Sequence, residues 1–192
     1  MAATGLRRSL FVVASLSCAL AVSPHVARAQ DVLDVKSATN LRDEYITDLD
    51  TLHSKFLQLA NAIPADKYAW RPAPGVRSIS EAFMHVASEF YFFAPMSIGG
   101  KPPADFGAPK EKLASLEKIT SKSDVLAELD KSWAHCAAQL KAADPAALTG
   151  KYKPWGQTLA ASAFAMTDDL HEHLGQLIAY SRSVGVKPPW SK

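Results

Sequence analysis

Between Asp168 and Arg182 the chain reads DDLHEHLGQLIAYSR, a stretch that sets two histidines, three carboxylates and a glutamine beside an apolar run. Imidazoles and carboxylates hold divalent metals and carry protons, so their spacing decides which of them can act together. At about 100° per helical residue, Leu159, Ala163, Met166, Leu170, Leu177 and Val184 fall within about 40° of one line. His173 lies inside that stripe and Asp169 on its flank one turn earlier, whereas His171 points about 120° away, toward solvent. An aspartate and a histidine four residues apart meet on one helix face. There they either share a metal ion or hydrogen-bond each other at the edge of a core.

His85 is the next candidate. It follows Glu81 by one turn, on the flank of the stripe Ile79, Phe83, Val86, Phe90 and Phe93. If the helix carrying it neighbours the one carrying Asp169 and His173, two imidazoles and a carboxylate converge. Such a set leaves positions open for water and substrate, as catalytic sites do. The alternative is a lone histidine on a helix flank.

The other candidates carry less. His53 reads as a boundary residue, His135 as solvated and Cys136 as a small apolar group on a buried face. Glu89 reads either as an outer partner or base, or as a surface carboxylate; Glu172 is the other candidate base, and Gln176 is placed to bond a ligand or another helix. No haem-attachment motif, phosphate-binding glycine loop or nucleophile elbow is present.

The elements that must position these groups are helical, with no alternating run that argues for a sheet. The first helix spans about Thr39 to Ala62, with Leu41, Tyr45, Leu49, Leu52, Phe56 and Leu59 on its buried stripe. After PADKYAWRPAPGVR, in which Tyr68 and Trp70 cap the core, Ser78 and Glu81 form a capping box that opens the second helix, SISEAFMHVASEFYFF. From Pro95, PMSIGGKPPADFGAPK reads as a long loop, functional or mobile. A third helix spans about Ser123 to Ala142, burying Leu126, Leu129, Trp133, Cys136 or Ala137, and Leu140. A turn at KYKPWGQ leads to the fourth, about Thr158 to Ser183. The expected fold class is all-α, a four-helix bundle.

The first residues place Arg7 and Arg8 before an apolar run from Leu10 to Val22 and small residues at Ala27 and Ala29, the pattern of a signal peptide. Residues 1–29 are expected to be cleaved, leaving 30–192 as one periplasmic or secreted domain. The run is shorter than the roughly 20 residues of a membrane span. Cleavage removes Arg7, Arg8 and Arg28 and no acid, so Lys+Arg falls from 21 to 18 against 19 Asp+Glu, and the formal charge moves from +2 to −1. No basic stripe suggests nucleic acid. Cys18 leaves with the leader, so Cys136 has no partner for an internal disulfide.

Three stretches, YAWRPAPGVRSISEAFMHVA from Tyr68 to Ala87, HEHLGQLIAYSR from His171 to Arg182, and the tail GVKPPW, resemble the DinB/YfiT-like superfamily. The resemblance implies a four-helix bundle regarded as a metal-dependent enzyme, with a divalent metal, commonly nickel or zinc. One histidine of the second helix and an HxxxH pair of the fourth hold it. By position these are His85, Asp169 and His173, the middle histidine being replaced by aspartate. A carboxylate suits zinc, nickel, iron or manganese, so the replacement either alters the metal preference or marks a lost site. Relatives include mycothiol- and bacillithiol-dependent transferases and isomerases; an exported protein lacks ready access to such thiols.

The leading expectation is an exported metal-binding bundle whose chemistry is metal-assisted hydrolysis or thiol and group transfer on a small molecule. A second is a non-catalytic ligand-binding protein, with Trp70, Tyr91 to Phe93 and the loop around Pro102 holding an apolar ligand. A third is a stress-related structural protein that forms a homodimer through a helix face.

Overall fold

A computed structural model describes residues 33–145 and 158–191. The expected leader at residues 1–29 and the expected turn at Lys151 to Gln157 lie outside the described residues. Six α-helices follow in order: α1 Val35–Ala62, α2 Ile79–Tyr91, α3 Phe93–Ser97, α4 Pro109–Leu116, α5 Lys122–Ala142 and α6 Leu159–Ser183. The described residues contain no strand.

The four long helices form the bundle. Helix α1 packs on α5 and α6, and α2 packs on the same two, so the cross-section is a ring in which α2 and α6 are neighbours. Its interior is filled by Leu49, Leu52, Phe56 and Leu59 of α1, Phe83, Val86 and Phe90 of α2, Leu129, Cys136 and Leu140 of α5, and Leu170 and Leu177 of α6, all shut off from solvent. Each set recurs at steps of three, four or seven residues, because one face of each helix must leave water. Among the described residues no helix is long and apolar enough to cross a membrane.

Caps set the helix starts. Asp34 accepts from the Ser37 amide at 2.7 Å, so α1 begins four residues before the expected Thr39. Ser78 and Glu81 form the expected capping box, the Ser78 amide donating to Glu81 at 2.6 Å. Thr158 caps α6. The connector before α2 is tied down by its backbone, with the Ile79 amide donating to the Trp70 carbonyl and the Ser80 amide to the Tyr68 carbonyl. The buried Tyr68 hydroxyl donates to the Ala60 carbonyl at 2.7 Å.

The segment after Pro95 is more closely held than an open loop. It contains the end of α3 and the start of α4, whose Pro109 occupies the first helical turn. The Gly100 amide donates to the Pro95 carbonyl at 2.8 Å and the Lys101 amide to Gln139 of α5 at 3.0 Å. Phe106 is buried and stacks on Phe92. Residues 98–108 are therefore the expected loop, packed as a flank on α2 and α5.

Candidate metal centre

Helix α2 carries His85 and Glu89 at i, i+4, and α6 carries Asp169 and His173 at the same spacing, so each helix stacks its pair on one face. Adjacent packing of α2 and α6 brings the faces together. His85 Nε2 lies 3.0 Å from Glu89 Oε1, and His173 Nε2 lies 3.4 Å from that same oxygen. The two imidazole rings meet edge to face with centroids 4.6 Å apart. Asp169 Oδ2 is 3.8 Å from His173 Nε2, on a side chain nearly half exposed.

Glu89 is the surprise. It is 3 % exposed, which corrects its reading as a surface carboxylate. Its signal was in the sequence: four residues after His85 and next to Phe90, it had to share His85's face and abut the core. One donor atom each from His85, Glu89 and His173 lies within 4.8 Å of the others. Donors bound to one tetrahedral ion at about 2.1 Å stand about 3.4 Å apart, so the observed spacings suit a single divalent ion.

Hydrogen bonding sharpens the fit. His173 Nδ1 faces the Gln176 side-chain oxygen at 3.3 Å, and the Gln176 amide donates to the Tyr180 hydroxyl at 3.0 Å. Tyr180 in turn packs edge-on against Trp70 at 5.4 Å. An amide oxygen only accepts, so Nδ1 carries a proton, and Nε2 faces Glu89 either with a second proton, on a charged ring, or with a lone pair. A lone pair against a buried carboxylate is repulsive unless a proton or a cation lies between them. Two further buried polar atoms of the cluster, His85 Nδ1 and Glu89 Oε2, have no hydrogen-bond partner. Buried polar atoms are seldom left so, and these residues fit a cation.

The ionisation pattern has the same origin. Burial alone would push Glu89 upward, but hydrogen bonds from His173 and His85 outweigh it and hold the carboxylate down at about 2. Burial also disfavours a charged His173, yet Glu89 beside it raises the imidazole above its ordinary value. Asp169, partly buried and facing an ionised Glu89, is pushed up to about 6.

The family model of the DinB superfamily matches residues 48–177. The chain belongs to the DinB superfamily. The match runs from the middle of α1 into α6 and encloses His85, Glu89, Asp169 and His173. No curated protein matches the chain.

The remaining candidates lie elsewhere in this DinB bundle. His53, expected at a boundary, is buried, because its ring stacks on Trp133 at 4.9 Å and meets the edge of Phe90; its Nε2 is 3.6 Å from Asp130. His135, expected to be solvated, contacts the Lys101 carbonyl at 2.9 Å and helps hold the flank. His171 and Glu172 are exposed, as the helical wheel indicated for His171. The apolar site imagined at one bundle end does not form: Trp70 precedes α2 and Tyr91 to Phe93 follow its start by 12 residues or more, about 18 Å along the helix. Tyr91 packs on Phe106 and donates to Glu128, while Trp70 packs on Tyr180.

Proposed function

We propose that this DinB-family bundle is an exported protein that holds one divalent ion on His85, Glu89 and His173, with Asp169 joining from the exposed side. The observation that carries the reading is the buried Glu89 carboxylate between two imidazole nitrogens, with a second carboxylate oxygen and His85 Nδ1 left without a hydrogen-bond partner. Two nitrogens and one or two carboxylate oxygens suit zinc or nickel first, and iron or manganese after them. Export rests on the leader pattern of residues 1–29.

When bound, such an ion supplies Lewis acidity, which lowers the pKa of a water or thiol and polarises an electrophile. The chain's own residues supply the rest. Glu89 neutralises charge in a buried place, Gln176 fixes the His173 ring, and Asp169, open to solvent, accepts a proton from a molecule entering beside it. Hydrolysis or group transfer on a small molecule is the chemistry these roles support best, with a water or an external thiol as the nucleophile.

Metal analysis of protein recovered from the periplasm without a histidine tag tests the reading. About one equivalent of a transition metal is expected, lost in His173→Ala and in Glu89→Gln, with a mature chain beginning at Gln30. Failure to bind zinc, nickel, manganese or iron on incubation overturns it.

A further inference from the structure

A cleft of about 320 Å³ opens at the α2–α6 seam, lined by Glu89, Phe93, Ser162, Ala165, Met166 and Asp169. It shares Glu89 with the cluster, so a molecule seated there reaches the centre from the Asp169 side. The volume lies near the lower end of ligand sites, roughly 300 to 1,000 Å³, which suits a compact molecule about the size of a substituted ring.

The lining has one sign. Phe93, Ala165 and Met166 form an apolar wall, and Phe93 keeps 39 % of its surface exposed at the rim. The charged groups are both carboxylates, and none of the six residues is basic. An ion of charge +2 on two neutral imidazoles and two ionised carboxylates sums to zero, leaving no net positive charge to draw an anion. A carboxylate or phosphate on the ligand body would lie between Asp169 and an apolar wall, repelled by the first and left unpaired by the second.

We infer that the cleft binds small, non-anionic molecules with an apolar body, uncharged or cationic, and discriminates against anionic ones of the same shape. This rests on the proposed metal site for the position of the ligand's reacting end, and on the cleft alone for the character of its body.

Three probes of nearly equal shape separate the terms: benzyl alcohol, benzylamine and benzoate. Each is titrated into the protein with and without cobalt(II), following the backbone amides of Ser162, Ala165 and Met166 by NMR and the cobalt ligand-field bands. Benzyl alcohol and benzylamine are expected to bind at least about tenfold more tightly than benzoate. Ala165→Lys, a change on the exposed face of α6 that removes no metal donor, is expected to narrow or reverse that ratio while leaving the cobalt bands in place. Phe93→Ala should weaken all three. Benzoate binding as well as the others, or a ratio unmoved by Ala165→Lys, overturns the inference. Protein that takes up no cobalt but keeps the ratio refutes the metal site and upholds the cleft.

Discussion

At the scale of single residues, the centre depends on one carboxylate and on the group that fixes one imidazole. Gln176 touches no substrate; it sets which nitrogen of His173 faces Glu89. Gln176→Leu is therefore expected to fold normally and to lose about 10- to 100-fold in metal affinity, measured by competition with a chromophoric chelator. Gln176→Glu should restore part of it, since a carboxylate also accepts from Nδ1. The pH dependence of the metal-free protein follows from the same groups. His173 is raised above its ordinary value and Asp169 from 3.8 to about 6, so both bind protons more readily folded than unfolded. Their contribution is complete below pH 3.8 for Asp169 and 6.5 for His173, and is lost as pH rises through about 6 and through the raised histidine value. Glu89, lowered from 4.5 to about 2, contributes above pH 4.5 and loses that as pH falls toward 2. Urea denaturation of the metal-free protein should thus show stability from this cluster falling as pH rises through about 6 and on past 6.5, a slope reduced in Glu89→Gln, where burial alone still raises Asp169. Bound metal should invert the slope, because protons and the ion compete for His173.

At the scale of elements, the capping box at Ser78 and the stripes of α1 and α5 were legible because they rest on local spacing. So was the likeness to a DinB bundle, carried by RSISEAFMHVA and HEHLGQLIAY. Pairing between helices was not, since spacing along one helix does not say which neighbour a face meets. Glu89 shows the difference: its register was plain, but only the packing of α2 on α6 makes it buried and shared. The loop after Pro95 was legible too, but not its attachment to α5, for a similar reason. Its glycines and prolines resemble those of an open loop, yet Gly100 is there because backbone must pass close. A Cβ at Gly100 would stand 2.9 Å from the Pro95 carbonyl oxygen and 3.1 Å from Gln139 Cβ. Gly100→Ala should cost about 1–3 kcal/mol in chemical denaturation and loosen the flank against α5. Ser78→Ala, which removes one half of the capping box, should cost about 1 kcal/mol.

For the whole molecule, the four long helices bury an apolar core large enough to fold without disulfide or metal, and the centre lies at one seam rather than inside that core. A metal ion held there would then be a stabilising ligand and not a requirement for folding. At a free concentration 100 times the dissociation constant it should add about 2.7 kcal/mol, read as a rise in Tm that vanishes in His85→Ala. Helical content should be the same with and without the ion, as circular dichroism would record.

Cys136 sits fully enclosed in α5, and burial pushes its thiol up from the ordinary value. In a chain trimmed at Ala29 it is the single sulfhydryl, because Cys18 departs with the leader. A thiol so enclosed reacts with a soluble disulfide reagent only when the bundle opens, and at low reagent concentration its labelling rate measures the equilibrium population of the opened chain. The protein thus carries its own gauge of conformational opening, read under native conditions without denaturant or an engineered label.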